Sequence, residues 1–174
     1  MRNSVAAGLV AAGLLASAGL AAWAQEDEEE EGSPAKLSKV LPEASVSLEQ
    51  GLKASEREGK PISAKFELEH DALQLSVYTL KGNDFMEVVA DTKTGAVAKS
   101  EKITDADDLK DAEAQKTAMA KATKTLVATT EAAVKSNAGF RAVSVYPQLR
   151  NGHAVAEVTL LKGTDTKKVA EKLD

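Results

Sequence analysis

The feature that most constrains the fold of this chain is an internal repeat. The tripeptide Leu80-Lys81-Gly82 recurs as Leu161-Lys162-Gly163, 81 residues later. At that offset the apolar residues of both copies alternate in the same phase, with the period of two that is typical of half-buried strands. A slip of one residue would turn every side chain to the other face of a sheet. We therefore expect each copy to bury one strand face, formed by Ile62, Ala64, Phe66, Leu68, Leu73, Leu75 and Val77 in the first copy and by Val143, Val145, Leu149, Ala154, Ala156 and Val158 in the second.

Each copy begins with a helix signal. Ser47 is followed three residues later by Gln50, which is the spacing of a capping box, and residues 59–61 (GKP) are expected to end this helix. Thr125 precedes an alanine-rich helix that we expect to end near residues 137–139 (NAG). A helix capped by Thr104 or Asp105 is expected to connect the two copies.

Hairpin signals follow in both copies. We expect strand turns at His70-Asp71 and at Asn151-Gly152, the second of which is a strong turn dipeptide. Residues 96–102 predict a fourth strand in the first copy. The expected fold class is therefore α+β, with two tandem units that each pack a helix on a three- to four-stranded antiparallel sheet. The expected boundaries are 45–102 for the first unit, 103–124 for the connecting helix and 125–174 for the second unit.

The first 24 residues resemble a signal peptide. Arg2 is followed by an uncharged stretch, and Ala22-Trp23-Ala24 has the small-x-small spacing of a cleavage site, so cleavage is expected after Ala24. A retained membrane anchor is the alternative, because the stretch is just long enough to span a bilayer. We expect a periplasmic or secreted protein that does not associate with the membrane after cleavage.

An acidic run follows the leader. The 174 residues contain 22 Lys and Arg against 27 Asp and Glu, and six of the acids are residues 26–31. The rest of the mature chain is balanced, which excludes binding of nucleic acid through a basic surface. Residues 25–40 are expected to form a disordered linker that is dispensable for folding, in preference to a calcium site.

The residue chemistry indicates no active site. The chain has no Cys, no G-x-S-x-G motif and only two histidines, His70 and His153. A metal site around His70 and a calcium site around Asp105 are less favoured than solvated turn residues and helix-start acids, respectively. We therefore expect a protein that is not an enzyme and has no catalytic, cofactor-binding or metal-binding residues.

The first unit resembles the PepSY domain family. The resemblance is carried by residues 47–54 (SLEQGLKA), 61–64 (PISA), 75–78 (LSVY) and 87–95 (EVVADTKTG). The second unit resembles the family more weakly, since it contains no D-x-x-T-G motif. The resemblance implies an exported, non-catalytic module that binds another protein of the cell envelope and regulates or inhibits a peptidase. The alternative is a periplasmic carrier of a small ligand or metal ion that uses the acidic run and the histidines.

The strand alternation also predicts a partner-binding face. Burial of Leu75 and Val77 turns their neighbours outward, and the same alternation applies in the second copy. The face is expected to present four apolar or aromatic residues, namely Tyr78, Leu80, Tyr146 and Leu161. Two interpretations remain open at this point: these residues bind a partner, or the sheets of the two units pack against each other through them.

Overall fold

A computed structural model describes residues 34–174 of the chain. The predicted signal peptide and the acidic run lie outside the described residues. The helices are α1 (Pro34–Val40), α2 (Leu48–Ser55), α3 (Ala106–Met119) and α4 (Leu126–Lys135). The strands are β1 (Lys60–Glu69), β2 (Ala72–Lys81), β3 (Asp84–Ala90), β4 (Val97–Lys102), β5 (Arg141–Arg150), β6 (His153–Lys162) and β7 (Asp165–Lys172).

All seven strands belong to one antiparallel sheet. Their order is β4-β3-β2-β1-β5-β6-β7, so the first strands of the two units lie side by side at the centre. Ala64 pairs with Val145 and Lys65 with Ser144. The prediction of two units with separate three- to four-stranded sheets is therefore wrong. Each unit alone would leave the backbone groups of its first strand unpaired at an edge, and pairing these two edges satisfies both.

The two units are related by a local two-fold axis. Ala64 and Val145, which pair with each other, are also equivalent positions of the repeat. The strand register shifts at Ile62 in the first unit and at Val143 in the second, which are equivalent positions as well. A residue can face its own equivalent across an antiparallel pair only when a two-fold axis passes through that pair.

Helices α2 and α4 cover one face of the sheet, and both predicted caps are confirmed. Ser47 and Gln50 form the capping box of α2, and the Thr125 side chain caps α4. Gly51 of α2 packs against β2, where an added Cβ would lie 2.4 Å from Leu75 Cδ2. This glycine thus permits close approach of helix and sheet.

Most of the predicted core residues are buried on this face. Leu73 is half-buried, and the prediction for Leu149 is wrong, because 39% of its surface is exposed. Leu149 pairs with Ala154, whereas its repeat equivalent Leu68 pairs with Leu73. The small alanine covers less of its neighbour than a leucine does, which explains the difference in burial.

Two further helices lie on the opposite face, which the sequence analysis assigned either to partner binding or to packing between the two units. In α3, Gln115 accepts a hydrogen bond of 2.6 Å from the Ser63 hydroxyl, and the Lys116 ammonium lies 5.6 Å from the centre of the Phe85 ring. Asp105 caps α3, as predicted. Helix α1 contributes the buried side chain of Leu37. The linker prediction for residues 25–40 is therefore wrong from Pro34 onward, where a short helix contacts β1 and β6.

In each unit, the segment that leads into α2 or α4 is held by a residue that follows the third strand of that unit, β3 or β7. The Thr92 carbonyl accepts hydrogen bonds from the Ser45 and Val46 N–H groups at 2.9 and 3.3 Å. Thr92 lies in a turn organised by Asp91, whose carboxylate accepts bonds from the N–H and hydroxyl groups of Thr94. The D-x-x-T-G motif thus has a structural role here.

The second unit makes the same connection without the motif. The Leu173 carbonyl accepts hydrogen bonds from the Thr123 and Lys124 N–H groups at 2.7 and 3.0 Å. Leu173 is the repeat equivalent of Thr92. The backbone path is therefore common to both units, although the side chains that stabilise it differ.

The repeat provides a matched pair of leucines for testing the burial. Leu68→Ala should lower the free energy of unfolding by about 2–5 kcal/mol, because it opens a cavity in the core. Leu149→Ala should change it by about 0.5 kcal/mol or less, since the side chain is already exposed. Urea denaturation of both variants measures the difference. Equal losses would contradict the assignment of Leu149 to a solvent-exposed position.

The Asp91 turn predicts a pH-dependent contribution to stability. Hydrogen bonds from Thr94 and Lys93 lower the pKa of Asp91 below its ordinary value. The stabilisation should therefore be present above about pH 4 and disappear as the pH falls through the lowered pKa. Asp91→Ala should have a lower melting temperature than the parent protein at pH 7. The difference between the two melting temperatures should narrow between about pH 4 and pH 2.

Asp165→Ala is the control for this experiment, because Asp165 is exposed at the start of β7 in the second unit. Its melting temperature should follow that of the parent protein at every pH. A difference between the parent protein and Asp91→Ala that stays constant down to pH 2 would show that the ionised carboxylate does not stabilise the turn.

Candidate functional site

The four residues predicted to form a partner-binding face lie on one face of the sheet but are not equally accessible. Tyr78 and Tyr146 are half-buried and lie near the centre, whereas Leu161 is 3% exposed. Leu80 and Leu161 pair with the first residues of β1 and β5, so the two-fold axis places them at opposite ends of the sheet. Leu161 therefore belongs to the core under α1, and the accessible part of the face is its centre.

The sequence prediction of sheet-on-sheet packing through these residues is wrong. A single continuous sheet leaves no second sheet to pack against them. The centre of the face lies between α1 and α3, which pack at different places on it. Tyr146 lines a groove here, and Tyr78 lies beside it on the neighbouring strand β2, next to Lys65.

Lys65 also lines this groove. Its ammonium lies 6.0 Å from the centre of the Tyr78 ring and 2.5 Å from the Glu67 carboxylate. Burial lowers the pKa of Lys65, but Tyr146, Tyr78 and Glu67 outweigh this effect, so that the pKa stays above its ordinary value. Burial in turn raises the pKa of Tyr78. At neutral pH the site therefore holds a charged amine beside a neutral phenol.

A chain of hydrogen bonds extends from this centre into the first unit. The Gln74 amide donates to the Ser76 hydroxyl at 2.8 Å, and Ser76 donates to the Glu87 carboxylate at 3.0 Å. Ser76 itself is fully buried. The buried Ser76 hydroxyl thus has a partner both as acceptor and as donor.

The second unit contributes an ion-pair cluster. The Glu157 carboxylate lies 2.6 Å from an Arg150 nitrogen and 3.2 Å from the Lys168 ammonium. Burial raises the pKa of Glu157, but the two cations outweigh this effect and hold the pKa below its ordinary value. The carboxylate thus remains ionised and paired at neutral pH.

The groove has a volume of about 440 Å³. Its walls include Lys65, Glu67, Tyr146 and Lys168, with Leu37 of α1 at one side. Sequence reasoning had placed the tyrosines on this face but did not find the part played by α1. The central position of Lys65 follows from the repeat, because Lys65 and Tyr146 are equivalent residues that the two-fold axis brings together.

Other candidate sites named from the sequence lie apart from the groove. His70 contacts Glu69 at one hairpin tip, and His153 lies 2.9 Å from the Asp174 carboxylate at the other. Over residues 34–174, no three His, Asp or Glu side chains come together in a way that could hold a metal ion. Asp107 and Asp108 belong to the first turn of α3, where their N–H groups donate to the Asp105 carboxylate.

Comparisons of the chain with models of protein families, with curated proteins and with solved structures find no match. The resemblance of the first unit to the PepSY family stays a prediction. None of the helices within residues 34–174 is long and apolar enough to cross a bilayer.

The position of α1 predicts where the chain can be shortened. A chain that begins at Pro34 should melt like a chain that begins at Gln25, because the acidic run has little apolar surface to bury. A chain that begins at Leu41 should lose about 1.5–3 kcal/mol, because it lacks the buried side chain of Leu37. Thermal melting of the three chains tests this. Equal melting temperatures for the two shortened chains would contradict a stabilising role of α1.

Proposed function

We propose that this protein is an exported, non-catalytic module that binds another protein of the cell envelope through the groove around Lys65. A peptidase is the first partner to test, as the resemblance of the first unit implies. The observation that carries the proposal is the pair of half-buried tyrosines, Tyr78 and Tyr146, on either side of the lysine. Tyrosines of this kind combine a large apolar surface with a polar tip and are enriched at protein interfaces.

The charges of the groove support protein binding as well. Lys65 is paired with Glu67, and Lys168 is paired with Glu157. A partner that covers these pairs buries charges that already have partners, which limits the cost of desolvation. Burial of the apolar surface of the tyrosines by a partner can therefore contribute to the binding free energy.

A double variant tests the proposal. Tyr78→Ala with Tyr146→Ala should melt within a few degrees of the parent protein, since both side chains are only partly buried. It should lose at least about 2 kcal/mol of binding energy, or about thirtyfold in affinity, if the tyrosines anchor the partner. The matched control is Tyr78→Phe with Tyr146→Phe, which retains both rings and most of the contact area.

The partner is first isolated by crosslinking the parent protein in an envelope extract, and its affinity for each variant is then measured with purified components. If it is a peptidase, its activity is measured with the parent protein and with the alanine variant. Unchanged affinity of the alanine variant would refute the role of the groove. Metal-dependent melting without any captured protein would instead support the carrier alternative.

A further inference from the structure

A second site follows from an arginine that links the two units. The guanidinium of Arg141, at the start of β5, donates to backbone carbonyls of the segment before α2. The distances are 3.1 Å to Leu41, 3.0 Å to Val46 and 3.5 Å to Ala44. One side chain of the second unit thus satisfies three carbonyl oxygens in the lead-in segment of the first.

The segment before α4 repeats this backbone. The Ala122 N–H donates to the Met119 carbonyl at 3.3 Å, as the Ala44 N–H donates to the Leu41 carbonyl at 3.0 Å. In the first unit, the next two N–H groups, those of Ser45 and Val46, donate to the Thr92 carbonyl. In the second unit, those of Thr123 and Lys124 donate to the Leu173 carbonyl. The counterparts of the three carbonyls that bind Arg141 are therefore those of Met119, Ala122 and Lys124.

Lys60 is the repeat equivalent of Arg141. Lys60 begins β1 and pairs with Leu80, as Arg141 begins β5 and pairs with Leu161. The Lys60 side chain is exposed, and none of the hydrogen bonds among residues 34–174 joins it to these carbonyls. The Lys60 ammonium therefore does not bind the carbonyls that correspond to those bound by the Arg141 guanidinium.

A cavity of about 470 Å³ occupies this position. Its lining includes Met119, Ala122, Lys124, Lys60 and Glu56. Within the described part of the chain, the carbonyls of Ala122 and Lys124 accept no hydrogen bond, whereas their counterparts in the first unit bind Arg141. The cavity thus contains backbone carbonyl acceptors whose counterparts in the first unit bind the guanidinium of Arg141.

We propose that this cavity binds the guanidinium of an arginine side chain from a partner polypeptide. A guanidinium presents five N–H donors in a planar fork and can reach several carbonyls at once, which a single ammonium does less well. This site is distinct from the groove around Lys65, and the proposal does not depend on the function assigned to that groove.

The charges at the cavity define a sharp test. Glu56 favours a cation, whereas Lys60 and Lys124 oppose one. The Lys124 ammonium is bound to the Lys172 carbonyl at 2.9 Å, so Lys60 is the removable source of repulsion. Removing the charge of Lys60 should strengthen binding of an arginine, and placing a guanidinium on residue 60 should block it.

The experiment titrates the ¹⁵N-labelled mature chain with N-acetyl-arginine methylamide and follows the amide signals of Ala122, Thr123 and Lys124. The neutral citrulline analogue is the control and should bind at least about tenfold more weakly, because it lacks charge-assisted hydrogen bonds. Lys60→Arg should raise the melting temperature and weaken binding of the arginine compound at least about tenfold. Lys60→Met should bind the compound more tightly than the parent protein.

Three results with the arginine compound, its citrulline analogue and Lys60→Arg would each overturn the proposal. They are the absence of saturable shifts with the arginine compound, equal binding of the citrulline analogue, and unaltered binding by Lys60→Arg. Weaker binding by Lys60→Met would also contradict it, because that result indicates a site for anions. The alanine variant of the two tyrosines should bind the arginine compound like the parent protein, so failure at one site is distinguishable from failure at the other.

Discussion

The pairing of β1 with β5 is the contact on which the rest of the structure depends. It joins two three- or four-stranded halves into one sheet through the pairs Ala64–Val145 and Lys65–Ser144. Because this pairing is central, α2 and α4 lie next to each other and share one core. It also places Lys65 beside Tyr146 on the other face, so the candidate binding groove exists only when the halves are joined.

The local elements could be predicted from the sequence because their signals are local. The Ser47 capping box, the caps Thr125 and Asp105, and both hairpin turns depend on residues within a few positions of one another. The fourth strand of the first unit followed from the same kind of pattern. The central pairing could not be predicted in this way, since it is made by backbone groups that every strand edge offers.

The candidate site was predictable only in part. Alternation placed Tyr78 and Tyr146 on the face opposite the core, but it carries no information about which helix covers that face. Helix α1 spans seven residues and follows a charged run, so composition favoured a linker there. Because α1 was not predicted, Leu161 was expected to be accessible. Its burial results from packing against α1, which lies far away in the sequence. Leu149 shows the converse case, because the size of its cross-strand neighbour decides its exposure.

The local two-fold axis has a consequence for how the two halves can differ. In a symmetric dimer of separate identical chains, any position on the axis faces a copy of itself, and a residue that is useful once must be tolerated twice. In this single chain, the equivalent positions next to the axis hold Lys65 in one half and Tyr146 in the other. Covalent linkage of the halves thus allows an amine and a phenol to meet where symmetry would impose two amines or two phenols. A ligand at this groove meets different neighbours on its two sides and is therefore bound in one orientation rather than two.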